Sequence, residues 1–541
     1  MNGWHPVDWV VLGAYLAAVA FVGFRAHGRQ EDAKDYFLGG RTLPWWAATL
    51  SIVATETSAV TYIGIPASAF DGDWSVLRLV AGFVIGRLFL AFVFVHVLYR
   101  GGWLTVYGYL AERFGPMTRT AAALLFLFGR IVASGVRLYA GCYAFGVATG
   151  VDVGGGWVIL LLGGFGTLLT WYGGVRTVVW TDVILGFTLI AGGLLAAAFL
   201  LGDIPGGLAG VLESADLASK TAIFARDDSG SLILFSGFDD DKALIAGLVF
   251  GFLLTLATHG TDQDIAQRML TCRSSLGGKL SIAASAALIV PLFVLFLAIG
   301  TLLWFFHETS PGAWAPPSSE LMNEVFPLYV ARGLPAGVSG LVVAGLLAAA
   351  LSSFTSALNA LASAAIGDFW RPLVRDRSER YYLRAGKIAT LVLAALLLLT
   401  ALSFIGTGKN IFKLSLHVFT YFHSALLGAF LLGLLTRRGR DGTVLAGMMV
   451  SVPLMLTLQL REFIIKPTDA PDAVNALIAH LPAGAIDLLK ALPHIAPGWW
   501  LLLGTTVCAG IGALSSRSPR GFADEASDAA LDAKKSYRDA G

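Results

Sequence analysis

Long apolar stretches recur along almost the whole chain, and each is long enough to cross a lipid bilayer as a helix. One crossing needs about 20 mainly apolar residues, and about thirteen such stretches can be counted. They lie near 8–25, 44–71, 76–99, 117–148, 154–174, 177–201, 241–265, 278–306, 336–368, 381–405, 410–436, 441–460 and 498–516. Charged residues make up only 14% of the 541 residues, against about 25% in soluble domains. The sequence therefore predicts an all-α polytopic membrane protein with about 13 transmembrane helices.

Basic residues are concentrated in alternate connections between these stretches. If the N-terminus lies outside, cytoplasmic connections such as 25–41 and 371–387 are rich in Arg and Lys. The longer external connections 202–240 and 461–497 are poorer in both. This distribution follows the positive-inside rule. It predicts a multi-pass protein of the cell's inner (plasma) membrane with a cytoplasmic C-terminal tail at 517–541.

One apolar stretch, 344–362, contains a cluster of hydroxyl groups. Ser352, Ser353, Thr355 and Ser356 fall within little more than one helical turn. Neutral oxygens suit a weakly held monovalent cation, whereas Mg²⁺ or Ca²⁺ sites use several carboxylates. The same small residues also allow two helices to pack closely and hydrogen-bond. Both interpretations stay open at this point.

Two further apolar stretches are interrupted by polar residues. Residues 54–61 read Ala-Thr-Glu-Thr-Ser-Ala-Val-Thr, and residues 255–262 read Thr-Leu-Ala-Thr-His-Gly-Thr-Asp. The second interruption comes five stretches after the first. Two inverted five-helix repeats, each with a discontinuous first helix, predict this spacing. Simple helix kinks are the alternative.

The remaining features exclude other classes of function. The net charge of +2 gives no indication of a nucleic-acid partner. Cys142, Cys272 and Cys508 lack the spacing of metal ligands and are predicted to be free thiols. No loop contains a catalytic constellation, so an enzyme is not expected, and no obligatory protein partner is evident.

Four motifs, in order, resemble those of the sodium:solute symporter family. They are Asp-Tyr-Phe-Leu-Gly-Gly-Arg-Thr-Leu-Pro-Trp-Trp at 35–46, Tyr-Gly-Gly-Val-Arg-Thr-Val-Val-Trp-Thr-Asp at 172–182, Asp-Gln-Asp-Ile-Ala-Gln-Arg at 262–268, and the stretch 344–370. That family includes bacterial proline, sialic-acid and sugar transporters and animal sodium/glucose cotransporters. The likeness runs from about residue 8 to about residue 440.

The resemblance implies a LeuT-type fold and sodium-coupled uptake of a small solute by alternating access. Its implied divisions are a leading helix and cytoplasmic loop (1–43), a first inverted repeat (44–201), an extracellular loop (202–240), a second inverted repeat (241–436), two trailing helices (437–516) and the tail (517–541). Two other interpretations are kept, a symporter for a neutral sugar or another solute, and a membrane sensor that works with a separate signalling partner.

The resemblance also implies where the coupling ion, Na⁺, binds. The ligands carried over by motif are the carbonyls of Ala54, Thr57 and Ala349 and the hydroxyls of Ser352 and Ser353. Ala349 lies three residues before Ser352 and four before Ser353, so these ligands share one helix face.

Some family members have a second sodium site with an aspartate. Asp182, Ser352, Thr355 and Ser356 match its pattern. Alternatively, Asp182 only caps a helix that begins near Thr181, and the hydroxyls are packing residues.

The solute site implied by the family lies beside the two interruptions. Its candidates are Glu56, Ser58 and Thr61, with Thr255, Thr258 and His259 opposite and His417 in the tenth core helix. Sugar transporters carry a lysine in the seventh core helix, but 281–300 contains no basic residue. A sugar is therefore not favoured.

Three arginines suggest a carboxylate in the solute. Arg130 and Arg137 lie seven residues apart and hence on one helix face, and Arg78 begins the second core helix. Guanidinium groups bind carboxylates through two parallel hydrogen bonds. Alternatively, each arginine pairs with Glu56 or Asp182, or extends to an interface. The prediction is a small organic anion or an amphoteric solute.

Overall fold

The computed structural model describes residues 4–310, 317–406, 411–467, 470 and 472–516. Its helices are α1 (Pro6–Ala26), α2 (Ala33–Leu38), α3 (Trp45–Glu56), α4 (Ala59–Asp71), α5 (Leu77–Phe92), α6 (Phe94–Arg100), α7 (Tyr107–Arg113), α8 (Pro116–Thr149), α9 (Trp157–Asp203), α10 (Gly207–Glu213), α11 (Leu217–Lys220), α12 (Leu244–Thr255), α13 (Gln263–Leu270), α14 (Ser275–Thr309), α15 (Val325–Gly333), α16 (Val338–Ala364), α17 (Arg371–Leu373), α18 (Glu379–Ser403), α19 (Ile411–Leu435), α20 (Asp441–Ile465), α21 (Asp472–Ala479), α22 (Ala483–Ala491) and α23 (Pro497–Ala513). Short turns of 3₁₀ or π geometry add Gly39–Arg41, Leu256–Thr261, Ser319–Glu324 and Ala365–Trp370. The side chain of His417 and the predicted tail 517–541 lie outside the described residues.

The helices form a membrane-spanning protein, as the composition predicts. Within the described ranges, nine helical segments are long and apolar enough to cross a bilayer. Large apolar side chains such as Phe92, Leu161 and Phe187 are more than half exposed on the outer surface. Such a surface suits lipid rather than water. The all-α class is confirmed for the described residues, whose strand-like contacts are isolated bridges.

The count of nine differs from thirteen partly because α9 contains two predicted spans. Its 47 residues would extend about 70 Å as one helix, about twice the hydrocarbon thickness. The backbone leaves helical geometry at Gly174, where φ is +60°. Gly166 and Asp182 lie on either side of this point, yet both contact α16 near Ser352 and Thr355. The two halves of α9 therefore fold back beside each other.

Two of the other differences have local causes. The predicted span 44–71 is divided into α3 and α4, and neither half is long enough alone. The last helix, α23, has 17 residues. The thirteen-span arrangement with its inverted repeats stays a prediction.

Helix α16 forms the centre of the bundle. In its most apolar stretch 94% of residues are buried, against 22% for α1. Small residues allow this close packing, since a Cβ at Gly141 of α8 would lie 2.4 Å from the Cβ of Ala350. The hydroxyl-bearing stretch of α16 is consequently enclosed by other helices.

Candidate functional site

The first interrupted helix breaks between α3 and α4. Thr57 has a non-helical ψ of 76°, and Ser58 is extended. In a continuous helix the Ser58 amide would bond to the carbonyl of Ala54. Instead it bonds to the carbonyl of Glu56 at 2.9 Å. The break thus releases the Ala54 carbonyl from its helical partner, as the discontinuous-helix prediction requires.

The hydroxyl groups of α16 face this break. Ser353 donates to the carbonyl of Thr55 at 3.2 Å. The Thr55 hydroxyl lies 3.5 Å from that of Ser352 and 3.1 Å from that of Ser356. Among the described residues, the buried Thr57 hydroxyl has no hydrogen-bond partner. The break and α16 therefore bring a buried cluster of hydroxyl and carbonyl oxygens together.

The predicted second sodium site contains an ion pair. Asp182 accepts hydrogen bonds from Ser51 at 2.5 Å and from Ser352 at 2.6 Å. Nη2 of Arg268 lies 3.3 Å from the same carboxylate, and this guanidinium also contacts Ser356. Since Asp182 lies inside α9, it does not cap a helix. The family-derived ligands are close together, but a guanidinium lies among them.

Thr355 takes no part in this network. Its hydroxyl donates to the carbonyls of Leu351 and Ser352, at 3.0 and 3.2 Å within its own helix. In this conformation Thr355 therefore behaves as the packing alternative expects.

The second interruption carries a chain of buried ion pairs. The helix continues through a π turn to Thr261 and breaks at Asp262, which has a ψ of 126°. Arg130 lies 3.1 Å from Asp262 and also contacts Asp264. Asp264 in turn lies 2.6 Å from Arg268, and His423 lies 3.1 Å from Asp262. Arg130 is thus ion-paired, although not with the carboxylates considered from sequence.

A separate charged cluster joins the two interrupted helices. Glu56 contacts Arg87, and Nε2 of His259 lies 3.5 Å from the same carboxylate oxygen of Glu56. Arg87 also donates to the carbonyl of Ser285 at 2.9 Å. Thr258 lies 2.9 Å from Nδ1 of His259.

Arg87 was not among the site residues predicted from sequence. An arginine within the apolar stretch 76–99 is itself a functional signal, and it was available in the sequence.

The other solute candidates are distributed more widely. Arg78 bonds to the carbonyl of Ser75 in the first turn of α5, about 14 Å along the axis from Arg87. Arg137 and Thr61 are half-buried. Thr255 is buried against Gly86, and Ser58 accepts a backbone bond that begins α4. The structure therefore groups Glu56, Thr258 and His259, and it separates Arg78 from them.

A polar ladder connects α13 to α16. Gln263 donates to Ser363 at 3.1 Å, and one turn later Gln267 donates to Asn359 at 2.9 Å. The two helices run antiparallel along this contact, since the residue numbers rise in one and fall in the other. The ladder fixes the half-helix after the second break against the central helix.

Comparison with known proteins decides the family. The profile of the sodium:solute symporter family matches residues 36–451, which is most of the chain. The chain belongs to the sodium:solute symporter family. The resemblance of the four motifs is thereby confirmed.

Individual symporters of this kind are similar over most of their length. The sodium/sialic acid symporter SiaT of Proteus mirabilis is 29% identical over 460 residues, covering 83% of this chain and 89% of that protein. The sodium/sialic acid symporter NanT of Aliivibrio fischeri is 28% identical over 460 residues, covering 83% and 87%. Mouse sodium-coupled monocarboxylate transporter 1 is 28% identical over 480 residues, covering 85% and 74%.

A solved structure shares the fold. It is the substrate-bound, outward-open state of a Na⁺-coupled sialic acid symporter, with a TM-score of 0.79 and 23% identity. The superposition covers 94% of this chain and 97% of that one.

The family motifs converge in space. Gln267 of the third motif contacts the carbonyl of Phe37 in the first and the side chain of Asn359 in the fourth. Asp182 of the second motif bonds to Ser352 of the fourth. These motif residues therefore connect α13, the half-helix after the second break, to α2 and α16, and they connect α9 to α16.

Proposed function

We propose that this protein is a sodium-coupled symporter that imports a small polar organic solute by alternating access. The observation that carries the proposal is the contact between the break after α3 and the hydroxyl groups of α16, where Ser353 bonds to Thr55. Membership of the sodium:solute symporter family supports it. The protein acts as a transporter and not as an enzyme.

The transported sodium ion is held by the carbonyls of Ala54, Thr57 and Ala349 and the hydroxyls of Ser352 and Ser353. The released Ala54 carbonyl supports this assignment. Five oxygens without net charge bind Na⁺ reversibly, as a transport cycle needs. Because the ligands come from both α3 and α16, bound sodium ties the first interrupted helix to the central one.

A second sodium ion is proposed between Asp182, Ser352, Thr355 and Ser356. It requires Arg268 to leave Asp182, and the contact of Arg268 with Asp264 offers the guanidinium another carboxylate. Sodium and Arg268 therefore compete for Asp182.

The solute is proposed to bind beside the two breaks, near Glu56, Ser58, Thr61, Thr258 and His259. An organic anion or an amphoteric solute is favoured. The names of similar proteins include sialic acid and monocarboxylates, which are both carboxylates. A neutral sugar is the alternative, since a sodium/glucose cotransporter is also similar.

We propose that the chain crosses the inner (plasma) membrane thirteen times, with the N-terminus outside and the C-terminus in the cytoplasm. The breaks at Thr57 and Asp262 interrupt the first helix of each inverted repeat, 44–201 and 241–436, so the two interrupted helices correspond. The divided α9 supplies two of these spans. A sensor working with a separate signalling partner is the second interpretation, and it shares this architecture.

Sodium-driven uptake in proteoliposomes tests the proposal. An inward sodium gradient is imposed with amino acids, carboxylic acids and sugars, each labelled and assayed singly. Accumulation that needs sodium and collapses with a sodium ionophore is the expected result. Solute binding with no flux under any gradient would instead favour the sensor.

A further inference from the structure

Five charged side chains of alternating sign form a continuous series between α9 and the second break. In order of contact they are Asp182, Arg268, Asp264, Arg130 and Asp262. None of these side chains is more than 3% exposed. Each arginine contacts the carboxylates on both sides of it, so a change of partner at one member affects its neighbours.

The two ends of this series lie at different parts of the transport machinery. Asp182 is the carboxylate of the proposed second sodium site, and it accepts from Ser352 of α16 at 2.6 Å. Asp262 caps the N-terminus of α13, where its Oδ1 accepts from the amide of Asp264 at 2.8 Å. Oδ2 of Asp262 lies 3.1 Å from Nη1 of Arg130. The series therefore connects a proposed sodium ligand to the residue at which the second helix breaks.

Arg268 is held more closely by Asp264 than by Asp182. Nη1 of Arg268 lies 2.6 Å from Oδ1 of Asp264 and 2.5 Å from the carbonyl oxygen of the same residue. Nη2 lies 3.3 Å from Oδ2 of Asp182, which is longer than the about 2.7–2.9 Å of a good charge-assisted hydrogen bond. Nη2 also contacts Ser356, another proposed ligand of that sodium site. Withdrawal of Nη2 would thus free two sodium ligands and break the longer of the two ion-pair contacts.

The carboxylate of Asp264 is shared between two arginines. Its Oδ1 contacts Arg268, and its Oδ2 contacts Arg130. One negative charge therefore serves two guanidinium groups, so a stronger interaction with one weakens the hold on the other. A guanidinium that left Asp182 would be costly to bury without another carboxylate, and Asp264 supplies one.

We propose that Asp264 is a positioning residue that makes the second sodium site available, because it receives the Arg268 guanidinium when sodium displaces it from Asp182. Arg130 then depends more on Asp262, so sodium binding strengthens the contact at the second break. This inference rests on the proposed sodium symport with a second ion. It adds the residue through which that ion acts on the second interrupted helix.

Sodium binding to the purified full chain in detergent tests this role. Sodium replaces choline at constant ionic strength, and tryptophan fluorescence follows the titration. The second sodium is the binding step that Asp182→Asn abolishes. In Asp264→Asn the ligand Asp182 stays in place, but Arg268 loses its alternative carboxylate, so the apparent affinity of this step should fall at least tenfold. Asp264→Glu should restore part of the affinity.

Arg130→Gln should change sodium affinity in the opposite direction. It removes the guanidinium that competes with Arg268 for Asp264, so Arg268 should leave Asp182 more readily and the second sodium should bind several-fold more tightly. Both Arg130→Gln and Asp264→Asn break a buried ion pair, so both should lower stability. A merely structural role predicts that loss of stability without opposite changes in sodium affinity. Unchanged or weaker sodium binding in folded Arg130→Gln would overturn the proposal.

Two double variants guard against misfolding, because each removes one charge of either sign. In Asp264→Asn/Arg130→Gln, Arg268 still lacks Asp264, so weak sodium binding is again expected. Arg268→Gln/Asp264→Asn completes a double-mutant cycle. With Arg268 replaced, loss of Asp264 should not weaken sodium binding beyond the level of Arg268→Gln alone. An equal effect of Asp264→Asn with and without Arg268 would overturn the positioning role.

Asp368→Asn is the matched control. The side chain of Asp368 is 1% exposed and lies 2.8 Å from Nε of Arg119, so this variant also breaks a buried ion pair. Asp368 lies twelve residues after Ser356, about 18 Å along the helix axis. The control should lower stability and leave sodium affinity unchanged. If it weakens the second sodium as much as Asp264→Asn does, the effect of Asp264→Asn is general destabilisation and the proposal is wrong.

Failure of this inference is distinct from failure of the symport proposal. Wild-type sodium affinity in Asp264→Asn, with a second binding step that still requires Asp182, would overturn the positioning role and leave sodium symport intact. A single sodium step in the wild-type protein would also overturn this inference, and solute uptake driven by that one ion would still support symport. Absence of any sodium effect on binding and flux would overturn both.

Discussion

Nη2 of Arg268 lies 3.3 Å from Oδ2 of Asp182, so a cation fixed to the chain neutralises the carboxylate that family resemblance assigns to a second sodium ion. Nε of the same guanidinium donates to Ser51 at 2.7 Å. Ser51 in turn donates to Asp182 at 2.5 Å. Arg268 and Asp182 therefore connect α13, α9 and α3 directly.

We expect Asp182→Asn to destabilise the protein even without sodium. Removing one partner of a buried ion pair typically costs about 3–5 kcal/mol, because the other charge is left uncompensated. Thermal unfolding in sodium-free buffer measures the effect. Glu213→Gln, at an exposed position in α10, is the control and should change stability by less than about 1 kcal/mol.

A sodium-binding role for Asp182 has a different signature. In that case Asp182→Asn would, in addition, lower the Hill coefficient for sodium towards one. A Hill coefficient of one in the wild-type protein would show that Asp182 has only a structural role.

Ser353→Ala is the cleanest test of the first sodium site. Ser352 also donates to Asp182, whereas within the described part of the chain the Ser353 hydroxyl donates to the Thr55 carbonyl at the break. Loss of one oxygen contact to a charged group is worth about 1.5–3 kcal/mol, so sodium affinity should fall about 10- to 100-fold. Sodium titration followed by tryptophan fluorescence measures it.

Ser339→Ala on the same helix is the control for this prediction. Ser339 bonds to the carbonyl of Leu334 at the opposite end of α16, so sodium affinity should not change. If Ser353→Ala binds sodium as tightly as the wild type, Ser353 is not a sodium ligand.

Much of this arrangement could be predicted from local sequence. Polar residues in apolar stretches are costly, so the runs at 54–61 and 255–262 identified both interrupted helices. The family motifs then predicted that α3 and α16 lie side by side at one sodium site. Hydropathy alone could not predict this, because it does not show which helices are neighbours. In the structure Ser353 of α16 bonds to the carbonyl of Thr55, beside the first break.

The ion pairs could not be predicted in the same way. Arg130 and Asp264 are 134 residues apart, and their contact depends on how α8 and α13 are rotated about their axes. The same difficulty applies to α16. This helix is buried on nearly all sides, so its sequence shows no single apolar face from which its rotation could be inferred. The fold of α9 at Gly174 was likewise hidden, because two adjacent apolar spans look the same whether the chain turns or continues.

We expect the polar ladder between α13 and α16 to hold the cytoplasmic side of the transporter closed. Asn359→Ala leaves Gln267 without its side-chain partner, so we expect α13 to separate from α16 more often. Ala266→Cys, at a buried position in α13, reports this opening in a background without the native cysteines. Labelling by a membrane-impermeant thiol reagent in inside-out vesicles should accelerate several-fold.

Ser378→Ala, which removes only the cap of α18, is the control for the labelling experiment and should leave the rate unchanged. Equal rates in Asn359→Ala and the parent would show that the ladder does not limit opening.

The two arginines of α8 should separate into a structural and a solute-binding residue. Arg130 contacts both Asp262 and Asp264, and lysine cannot reproduce the fork that reaches two carboxylates. Arg130→Lys should therefore lower stability by about 2 kcal/mol before any solute is added. Arg137→Lys, at the half-buried position, keeps the charge but loses the planar fork, and it should raise the KM for sodium-driven uptake at least tenfold. Thermal unfolding and initial uptake rates measure the two effects on the same preparations. A KM that rises only in Arg130→Lys would show instead that Arg130 binds the solute. The guanidinium of Arg130 would then have to leave Asp262 and Asp264 during transport.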